Sequence, residues 1–210
     1  MMKSAARIRV LIADDHTIVR AGLAALLGTE DDLEIVGQAK NGDEAIREAV
    51  RLVPDVVIMD LMMPGLDGVE TTRRLRAEHP ETHVLVLTTY GTSDDIAHAL
   101  DAGASGALLK TADLPDLVSA IRGVASGNRI LSAEIEQILA TDPPIPGLSE
   151  RQSDILASVT RGLSNEDIAH QLGISVARVR EHLTTLFEKL GAANRAEAVA
   201  IALRKHLLKI

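Results

Sequence analysis

The sequence predicts an α/β protein in which a doubly wound parallel sheet of five strands is followed by a separate all-α domain. Three observations lead to this fold class. Short apolar runs without alternation recur along residues 1–125, as in parallel strands that are covered on both faces. Amphipathic helical segments separate these runs and give five strand–helix units in succession. In residues 148–210 the apolar periodicity is helical throughout.

Length and composition agree with two small domains. The chain has 210 residues, of which 46% are hydrophobic, and this is enough apolar material for two cores. It contains no cysteine, which excludes disulfides and thiolate metal sites. No run of about eighteen apolar residues occurs, and the apolar run after the basic start is too short for a signal peptide. We therefore expect a soluble cytoplasmic protein with no membrane partner.

Charge is distributed unevenly along the chain. Residues 1–148 contain 13 basic and 23 acidic residues, a net charge of −10, whereas residues 149–210 contain 9 and 7, a net charge of +2. A mildly basic domain can approach the phosphates of nucleic acid if its cations share one face, and an acidic domain approaches them poorly. The two halves are therefore predicted to have different partners.

Each strand of the predicted sheet is an apolar run, and the helices between them end at residues that break helices. The first strand, IRVLIA, stops at Asp14-Asp15, and the helix after it stops at Gly28. Pro80 ends the third helix and Gly103 ends the fourth. The predicted strands are 8–13, 33–39, 56–59, 84–87 and 107–109. The predicted helices are 16–27, 43–52, 68–78, 94–102 and 113–125.

Polar side chains stand at the carboxyl ends of four of these strands. They are Asp14, Asp15, Asp60, Thr88 and Lys110. The carboxyl ends of parallel strands share one edge of the sheet, where open α/β sheets have their ligand crevices. Neighbouring carboxylates raise one another's pKa unless a cation is present, and oxygen atoms are the ligands that Mg²⁺ takes. We therefore predict a Mg²⁺ site in which Asp60 is a nucleophile toward phosphorus, while Thr88 and Lys110 contact the transferred phosphoryl group.

Other interpretations of these residues are possible. Taken singly, a lysine or threonine at a strand end is usually solvated or caps a backbone group, but five compatible residues favour a functional site. A phosphohydrolase also uses an aspartate nucleophile, yet enzymes of that class resemble one another in a second aspartate two residues later, where this chain has Met62. No Gly-x-x-x-x-Gly-Lys loop of a nucleotide hydrolase occurs. We therefore expect that the protein is not an enzyme.

Residues 7–125 resemble the receiver domain of two-component response regulators. The matching motifs are the acidic pair Asp14-Asp15, Asp60 within MDLMMPGLDG, Thr88 after VLVL and Lys110 after GASGALL. The resemblance implies a flavodoxin-like fold, phosphorylation of Asp60 by a histidine kinase, and Mg²⁺ as cofactor. It also implies that Asp15, Asp60 and the backbone carbonyl of Met62 bind the metal, with Asp14 acting through water.

Two residues depart from the pattern of receiver domains. Ala107 stands where many receivers carry a tyrosine or phenylalanine that swings inward on activation, and Thr111 replaces the proline that often follows the lysine. A methyl group cannot fill or vacate a pocket as a ring does. We therefore expect phosphorylation to act through Thr88, the loop after it or Tyr90, with a coupling energy of about 1–3 kcal/mol.

A proline-rich segment separates the two predicted domains. Residues 141–147, TDPPIPG, favour an extended connector and exclude a continuous helix. The predicted boundaries are a receiver domain over 1–126, a linker with a short helix over 127–147, and a C-terminal domain over 148–210. Predicted capping boxes at Ser149-x-x-Gln152, Asn194-x-x-Glu197 and, with a shorter acid, Ser164-x-x-Asp167, together with glycine stops, give four helices in this last domain. They span about 150–161, 165–172, 176–190 and 195–207.

The second and third C-terminal helices are joined by Gly173-Ile174-Ser175, a turn of the length that helix-turn-helix DNA readers use. Residues 148–205 also resemble the LuxR-type helix-turn-helix of NarL/FixJ response regulators, through LSERQSDILASVTRGLSNEDIAHQLGIS and VREHLTTLFEKLGAANRAEAV. This resemblance implies that the third helix meets double-stranded DNA. The candidate contacts on it are Arg178, Arg180, Glu181, Thr184 and Lys189. Arg180 is the candidate for a base edge, and Arg178 and Lys189 are candidates for phosphate.

The last predicted helix contains AEAVAIAL over 196–203, which is apolar nearly all round. Packing one face against a small domain requires less than this. We predict that Val199, Ile201 and Leu203 form a homodimer interface, since dimeric DNA readers bind paired half-sites.

The sequence as a whole predicts a transcription regulator that a histidine kinase phosphorylates on Asp60, and that then dimerises and binds promoter DNA. The alternative is a phosphorylation-independent DNA-binding regulator that keeps its receiver as a protein-interaction module. The presence of Asp14, Asp15, Thr88 and Lys110 beside Asp60 favours the first.

Overall fold

The structure is a computed structural model that describes residues 7–89, 92–205 and 207. Tyr90, one of the residues expected to couple phosphorylation to the surface, lies outside these ranges. The chain divides into two compact units, Met1–Asp142 and Pro143–Ile210. Within the described ranges, no helix combines the length and the apolar character needed to cross a bilayer.

Six parallel strands form the sheet of the N-terminal unit. They are β1 (Ile8–Ala13), β2 (Leu33–Ala39), β3 (Val56–Met59), β4 (His83–Thr88), β5 (Gly106–Leu109) and β6 (Ile130–Leu131). Their order is β2-β1-β3-β4-β5-β6, and every neighbouring pair is parallel. The first five strands have the 2-1-3-4-5 order of flavodoxin-like folds. The predicted fold class is confirmed, with one strand more than predicted.

Helices cover both faces of this sheet. They are α1 (Thr17–Leu27), α2 (Gly42–Leu52), α3 (Gly68–Glu78), α4 (Ser93–Asp101), α5 (Leu114–Ala125) and α6 (Ala133–Thr141). Val10 and Ile12 belong to the core layer that α1 and α5 complete. Leu11 and Val57 belong to the opposite face, where α2 and α3 pack beside α4 and α6. Because β1 and β3 are buried on both faces, their sequences are apolar without alternation.

The segment predicted as a linker over 127–147 is partly receiver structure. β6 pairs with β5, with Ile130 opposite Gly106, and Ile135 of α6 is fully buried against β4, β5 and α4. A Cβ on Gly106 would lie 2.5 Å from the carbonyl oxygen of Ile130, so glycine is what allows β6 to approach. The prediction missed this strand because two residues are too few to show a periodic pattern. The connector therefore begins at Pro143.

The C-terminal unit contains the four predicted helices. They are α7 (Glu150–Thr160), α8 (Asn165–Leu172), α9 (Val176–Leu190) and α10 (Arg195–Arg204). Capping boxes begin α7 at Ser149 and α8 at Ser164, as predicted. At α10 the side chain of Glu197 instead accepts from the amide of Ala193, one residue before the N-cap. A stripe of α9 side chains faces the core of the unit, namely Val179, Leu183, Leu186 and Leu190.

Candidate functional site

Parallel pairing brings the predicted site residues to one edge of the sheet. Asp14 follows β1, Asp60 follows β3, Thr88 ends β4 and Lys110 follows β5. Backbone hydrogen bonds extend the strand ladder to the functional residues themselves. The amide of Asp60 donates to the carbonyl of Ala13 over 2.8 Å, and the amide of Lys110 donates to that of Thr88 over 2.7 Å. The side chains are therefore held by the sheet and not by a loose loop.

Lys110 joins the two buried carboxylates of the site. Its Nζ lies 2.5 Å from Asp14 Oδ2 and 2.7 Å from Asp60 Oδ2. Burial lowers the pKa of Lys110, but the hydrogen bonds to Asp14 and Asp60 outweigh burial, so that its pKa stands above the usual value. The ammonium group is thus charged at neutral pH and fixed between two acids.

Asp60 is only 3% exposed, and this burial dominates its ionisation. Burial raises the pKa of Asp60, and the opposing effect of Lys110 does not cancel it. One oxygen, Oδ2, is held by Lys110, whereas Oδ1 receives, from the described part of the chain, only a long 3.4 Å hydrogen bond from the amide of Met62. The two oxygens of Asp60 are therefore not equivalent, and Oδ1 is the less firmly bound.

The turn after Asp60 brings the start of α3 against the site. Asp67 caps α3 by accepting a hydrogen bond from the amide of Glu70 over 2.8 Å. A Cβ on Gly68 would lie 2.1 Å from the backbone oxygen of Asp60. The DG pair in MMPGLDG thus has a local reason: the aspartate begins the helix and the glycine lets it approach the strand end.

Asp15 and His16 complete an acidic cluster beside Asp14 and Asp60. Each of these four residues has a potential ligand atom, and the four atoms lie within 4.8 Å of one another. Asp15 Oδ1 is buried and, among the residues that the structure describes, has no hydrogen-bond partner. Carboxylate oxygens that lie close together, one of them buried without a hydrogen bond, fit a hard divalent cation. The predicted metal residues Asp14, Asp15 and Asp60 are therefore together, and Met62 lies in the adjoining turn.

Thr88 has the other unpaired polar atom of the site. Its hydroxyl oxygen is buried and finds no hydrogen-bond partner within residues 7–89, 92–205 and 207. A buried hydroxyl without a partner costs free energy in the folded protein. The position at the same sheet edge as Asp60 fits a hydroxyl that hydrogen-bonds a ligand.

On the C-terminal unit, four of the predicted DNA contacts lie on the exposed side of α9. They are Arg178, Arg180, Glu181 and Thr184. Arg178 and Glu181 form an ion pair of 2.8 Å, in which both side chains are exposed, and such a pair contributes little to stability. The hydroxyl of Thr184 donates to the carbonyl of Arg180 over 3.1 Å. The guanidinium of Arg178 is therefore partly neutralised in the free protein.

Lys189 makes hydrogen bonds within its own unit. Its Nζ donates to the carbonyl of Gly147 over 3.0 Å and to Gln152 Oε1 over 2.9 Å. Lys205, which no sequence pattern singled out, donates in the same way to the carbonyl of Pro143 over 3.2 Å. Both lysines therefore hold the connector on its own unit, and the contact of Lys189 with DNA phosphate stays a prediction.

The three predicted dimer residues of α10 have different environments. Ile201 is 8% exposed and belongs to the core of its own unit, so its assignment to a dimer interface is corrected. Val199 is half-buried against the same core. Leu203 is 54% exposed and shares its side of the helix with Ala196 and Ala200, which are also exposed. The apolar residues on this outward side of the helix form a stripe, which we call the α10 stripe. It consists of Ala196, Val199, Ala200 and Leu203.

His16 is the residue of this site that sequence reasoning missed. The only signal for it was its place directly after the acidic pair Asp14-Asp15. Its Nδ1 lies 2.7 Å from Asp15 Oδ1 and 3.3 Å from Asp14 Oδ1, a proximity that depends on the conformation of the β1–α1 turn.

Comparison with known families matches both units. Residues 10–122 match "Response regulator receiver domain", and residues 146–202 match "Bacterial regulatory proteins, luxR family". The Transcriptional regulatory protein LiaR of Bacillus subtilis (strain 168) is 36% identical over 209 residues, which cover 96% of this chain and 99% of LiaR.

Solved structures are similar over nearly the whole chain. The response regulator ChrA of a heme-sensing two-component system is 40% identical with a TM-score of 0.59, covering 97% of this chain and 100% of that one. RcsB from Salmonella enterica serovar Typhimurium, bound to a promoter in the presence of phosphomimetic BeF3⁻, is 26% identical with a TM-score of 0.70, covering 93% and 97%. The chain therefore belongs to the two-component response regulators of the NarL/FixJ type, in which a receiver domain precedes a LuxR-type DNA-binding domain.

Proposed function

We propose that Asp60 accepts a phosphoryl group from a histidine kinase and that this strengthens promoter binding by the C-terminal unit. The observation that supports this most is Lys110 Nζ, placed 2.5 Å from Asp14 Oδ2 and 2.7 Å from Asp60 Oδ2. With Asp15, the site holds three carboxylates and one ammonium, a net charge of −2 when all are ionised. Such a site suits a divalent cation and, with it, an anionic phosphoryl group.

The chain's own residues have distinct parts in the proposed transfer. An ionised oxygen of Asp60 attacks phosphorus of a phosphohistidine, the P–N bond breaks, and the imidazole leaves with that electron pair and takes up a proton. Oδ1 is the oxygen free to attack, because Oδ2 is held by Lys110. The Lys110 ammonium neutralises a phosphoryl oxygen, and the Thr88 hydroxyl donates to another.

The cation of this site is proposed to be Mg²⁺. Asp15, Asp60 and the backbone carbonyl of Met62 would hold it, with Asp14 acting through water, and its charge would reduce repulsion between the carboxylates and the phosphoryl oxygens. Asp60 takes one phosphoryl group per chain and is not regenerated within the transfer. The protein is therefore proposed to be a phosphoryl acceptor and not an enzyme.

Promoter binding should depend on the state of Asp60. We expect Mg²⁺ with BeF3⁻, a phosphoryl mimic, to raise promoter affinity by about 5- to 150-fold, which is the range of a coupling energy of about 1–3 kcal/mol. Fluorescence anisotropy at fixed salt measures this. Asp60→Asn should abolish the increase, and Asp101→Asn, an exposed acid at the end of α4, should retain it. Equal affinity with and without BeF3⁻ in the wild type would instead favour the phosphorylation-independent regulator.

Arg180 is proposed to read a base in the major groove. It is exposed on α9 and, among the residues that the structure describes, forms no ion pair of the kind that Arg178 makes with Glu181. We expect Arg180→Ala to cost about 1–3 kcal/mol and to flatten preference at one base pair, because a guanidinium that bonds guanine O6 and N7 discriminates by that amount.

Competition binding across single-base operator variants measures the role of Arg180. Arg204→Ala, which removes an exposed arginine from the end of α10, is the matched control and should leave the preference profile unchanged. If Arg180→Ala weakens all operators equally, Arg180 contacts phosphate, and the reading residue is Glu181 or Thr184.

The α10 stripe is proposed to be the contact between two copies on DNA. Ala196 and Ala200 are small enough to allow close approach of two helices, and Leu203 supplies exposed apolar area. We expect Leu203→Glu to reduce the DNA-bound stoichiometry from two chains to one, because a two-fold axis would bring two carboxylates together in an apolar contact. Sedimentation of the protein–DNA complex measures this stoichiometry. Arg204→Glu, the adjacent exposed position, should still give two chains, and a two-chain complex of Leu203→Glu would exclude the stripe as the contact.

A further inference from the structure

His16 is held at the edge of the acidic cluster by the turn that joins β1 to α1. Its backbone amide donates to Asp14 Oδ1 over 2.7 Å, which fixes the residue relative to β1. Its side chain is 67% exposed, so the imidazole is not a core residue. The ring is nevertheless directed toward the carboxylates, since Nδ1 lies 2.7 Å from Asp15 Oδ1 and 3.3 Å from Asp14 Oδ1.

The close contact between His16 Nδ1 and Asp15 Oδ1 does not have the geometry of a hydrogen bond. Asp15 Oδ1 has no hydrogen-bond partner among the described residues, although Nδ1 is within 2.7 Å. The direction in which Nδ1 carries its hydrogen or lone pair therefore misses the oxygen. Whether Nδ1 carries a hydrogen or a lone pair, it points outward in the plane of the ring, so the direction is the same in both protonation states.

Two atoms that bind the same metal ion generally lie close together without a hydrogen bond between them. Each directs its lone pair at the ion and not at the other ligand. Ligand atoms about 2.1 Å from an ion and at a right angle to each other are about 3 Å apart. The separation of 2.7 Å from Nδ1 to Asp15 Oδ1 is close to that value, and Asp60 also has a ligand atom within 4.8 Å of the group.

We propose that His16 Nδ1 is a nitrogen ligand of this cation site and that it shifts the metal preference of the site toward transition metals such as Co²⁺. Mg²⁺ takes oxygen ligands almost exclusively, whereas imidazole nitrogen suits first-row transition metals. The inference rests on the cation site of the proposed function but not on phosphoryl transfer to Asp60. We therefore expect the site to bind Mg²⁺ when only Mg²⁺ is supplied, and to bind more Co²⁺ when Co²⁺ is supplied with it.

Calorimetric titration of the full-length protein with Co²⁺ and, separately, with Mg²⁺ tests this. His16→Asn should lower Co²⁺ affinity by about 10- to 100-fold or more. Removing a residue that only hydrogen-bonds a metal ligand already costs this much, and removing a ligand itself should cost at least as much. Mg²⁺ affinity should change much less, so that the ratio of the two affinities falls. His98→Asn, an exposed histidine in the last turn of α4, is the matched control and should leave both affinities unchanged.

Proton NMR of the Co²⁺-loaded wild type supplies a readout that needs no variant. A coordinated imidazole has a strongly paramagnetically shifted N–H resonance that exchanges with water, and this resonance should be absent in His16→Asn. The proposal is overturned if the wild type lacks the resonance, if His16→Asn leaves Co²⁺ affinity unchanged, or if it lowers Co²⁺ and Mg²⁺ affinity equally. The last outcome would mean that His16 only orients Asp15. Failure of Asp60 to be phosphorylated in Mg²⁺ would leave these titrations interpretable, so the two proposals fail separately.

Discussion

Replacing Lys110 with methionine is expected to lower the free energy of unfolding of the N-terminal unit by about 3–5 kcal/mol, the usual cost of removing one partner from a buried ion pair. The variant keeps the length and apolar stem of the side chain but removes the ammonium from between Asp14 and Asp60. Both carboxylates would then be buried without a counter-charge. Urea unfolding followed by circular dichroism, without divalent metal, measures the loss.

Three comparisons separate this electrostatic effect from a packing effect. Lys40→Met changes an exposed lysine and should leave stability unchanged. The double variant Lys110→Met with Asp60→Asn should regain part of the loss, because only one of the two carboxylates remains. Added Mg²⁺ should stabilise Lys110→Met by binding the folded state. A variant as stable as the wild type without metal would mean that Lys110 does not hold the acids in solution.

Introducing a tyrosine at Ala107 is expected to destabilise the N-terminal unit by about 1–3 kcal/mol, the cost of overpacking a filled core. Ala107 is buried in a cluster with Val86 of β4, Ile96 of α4 and Ile135 of α6. The space around the methyl group is therefore filled by a core to which β4, α4 and α6 contribute. A ring at this position would have to displace side chains of this cluster, to which α6 contributes Ile135.

Thermal or urea unfolding measures the effect of Ala107→Tyr. Ala140→Tyr adds the same ring at an exposed position of α6 and should be close to neutral. Adding Ile135→Ala to Ala107→Tyr should recover part of the stability, because the ring then has room, and the two substitutions should be non-additive. Full stability of Ala107→Tyr alone would show that α6 can move away at little cost.

The site at the sheet edge could be predicted because it depends on topology. Once β1, β3, β4 and β5 are recognised as parallel strands, the residues that follow them must share an edge, and this places Asp14, Asp60, Thr88 and Lys110 together. What the sequence could not show is which atoms pair. That Lys110 bridges Asp14 and Asp60, and that His16 turns toward Asp15, depends on side-chain conformations that no spacing encodes.

What the sequence could not predict in the C-terminal unit depends on tertiary contacts. Lys189 is predicted to meet DNA because it lies near the end of an exposed helix, but its hydrogen bonds to Gln152 and to the carbonyl of Gly147 join residues distant in sequence and could not be predicted. Ile201 was expected at a dimer contact because the α10 sequence is apolar nearly all round. In such a helix the apolar pattern does not show which side faces the core. In the structure Ile201 packs into the core and Leu203 faces outward.

The most direct measurement of the central claim is the intact mass of the protein after incubation with Mg²⁺ and a small phosphodonor such as acetyl phosphate. The account predicts that the wild type and Asp101→Asn each gain the mass of one phosphoryl group, that chelation of the metal prevents the gain, and that Asp60→Asn gains nothing. Persistent labelling of Asp60→Asn, or a wild type that remains unlabelled with Mg²⁺ present, would contradict the assignment of Asp60 as the phosphoryl acceptor.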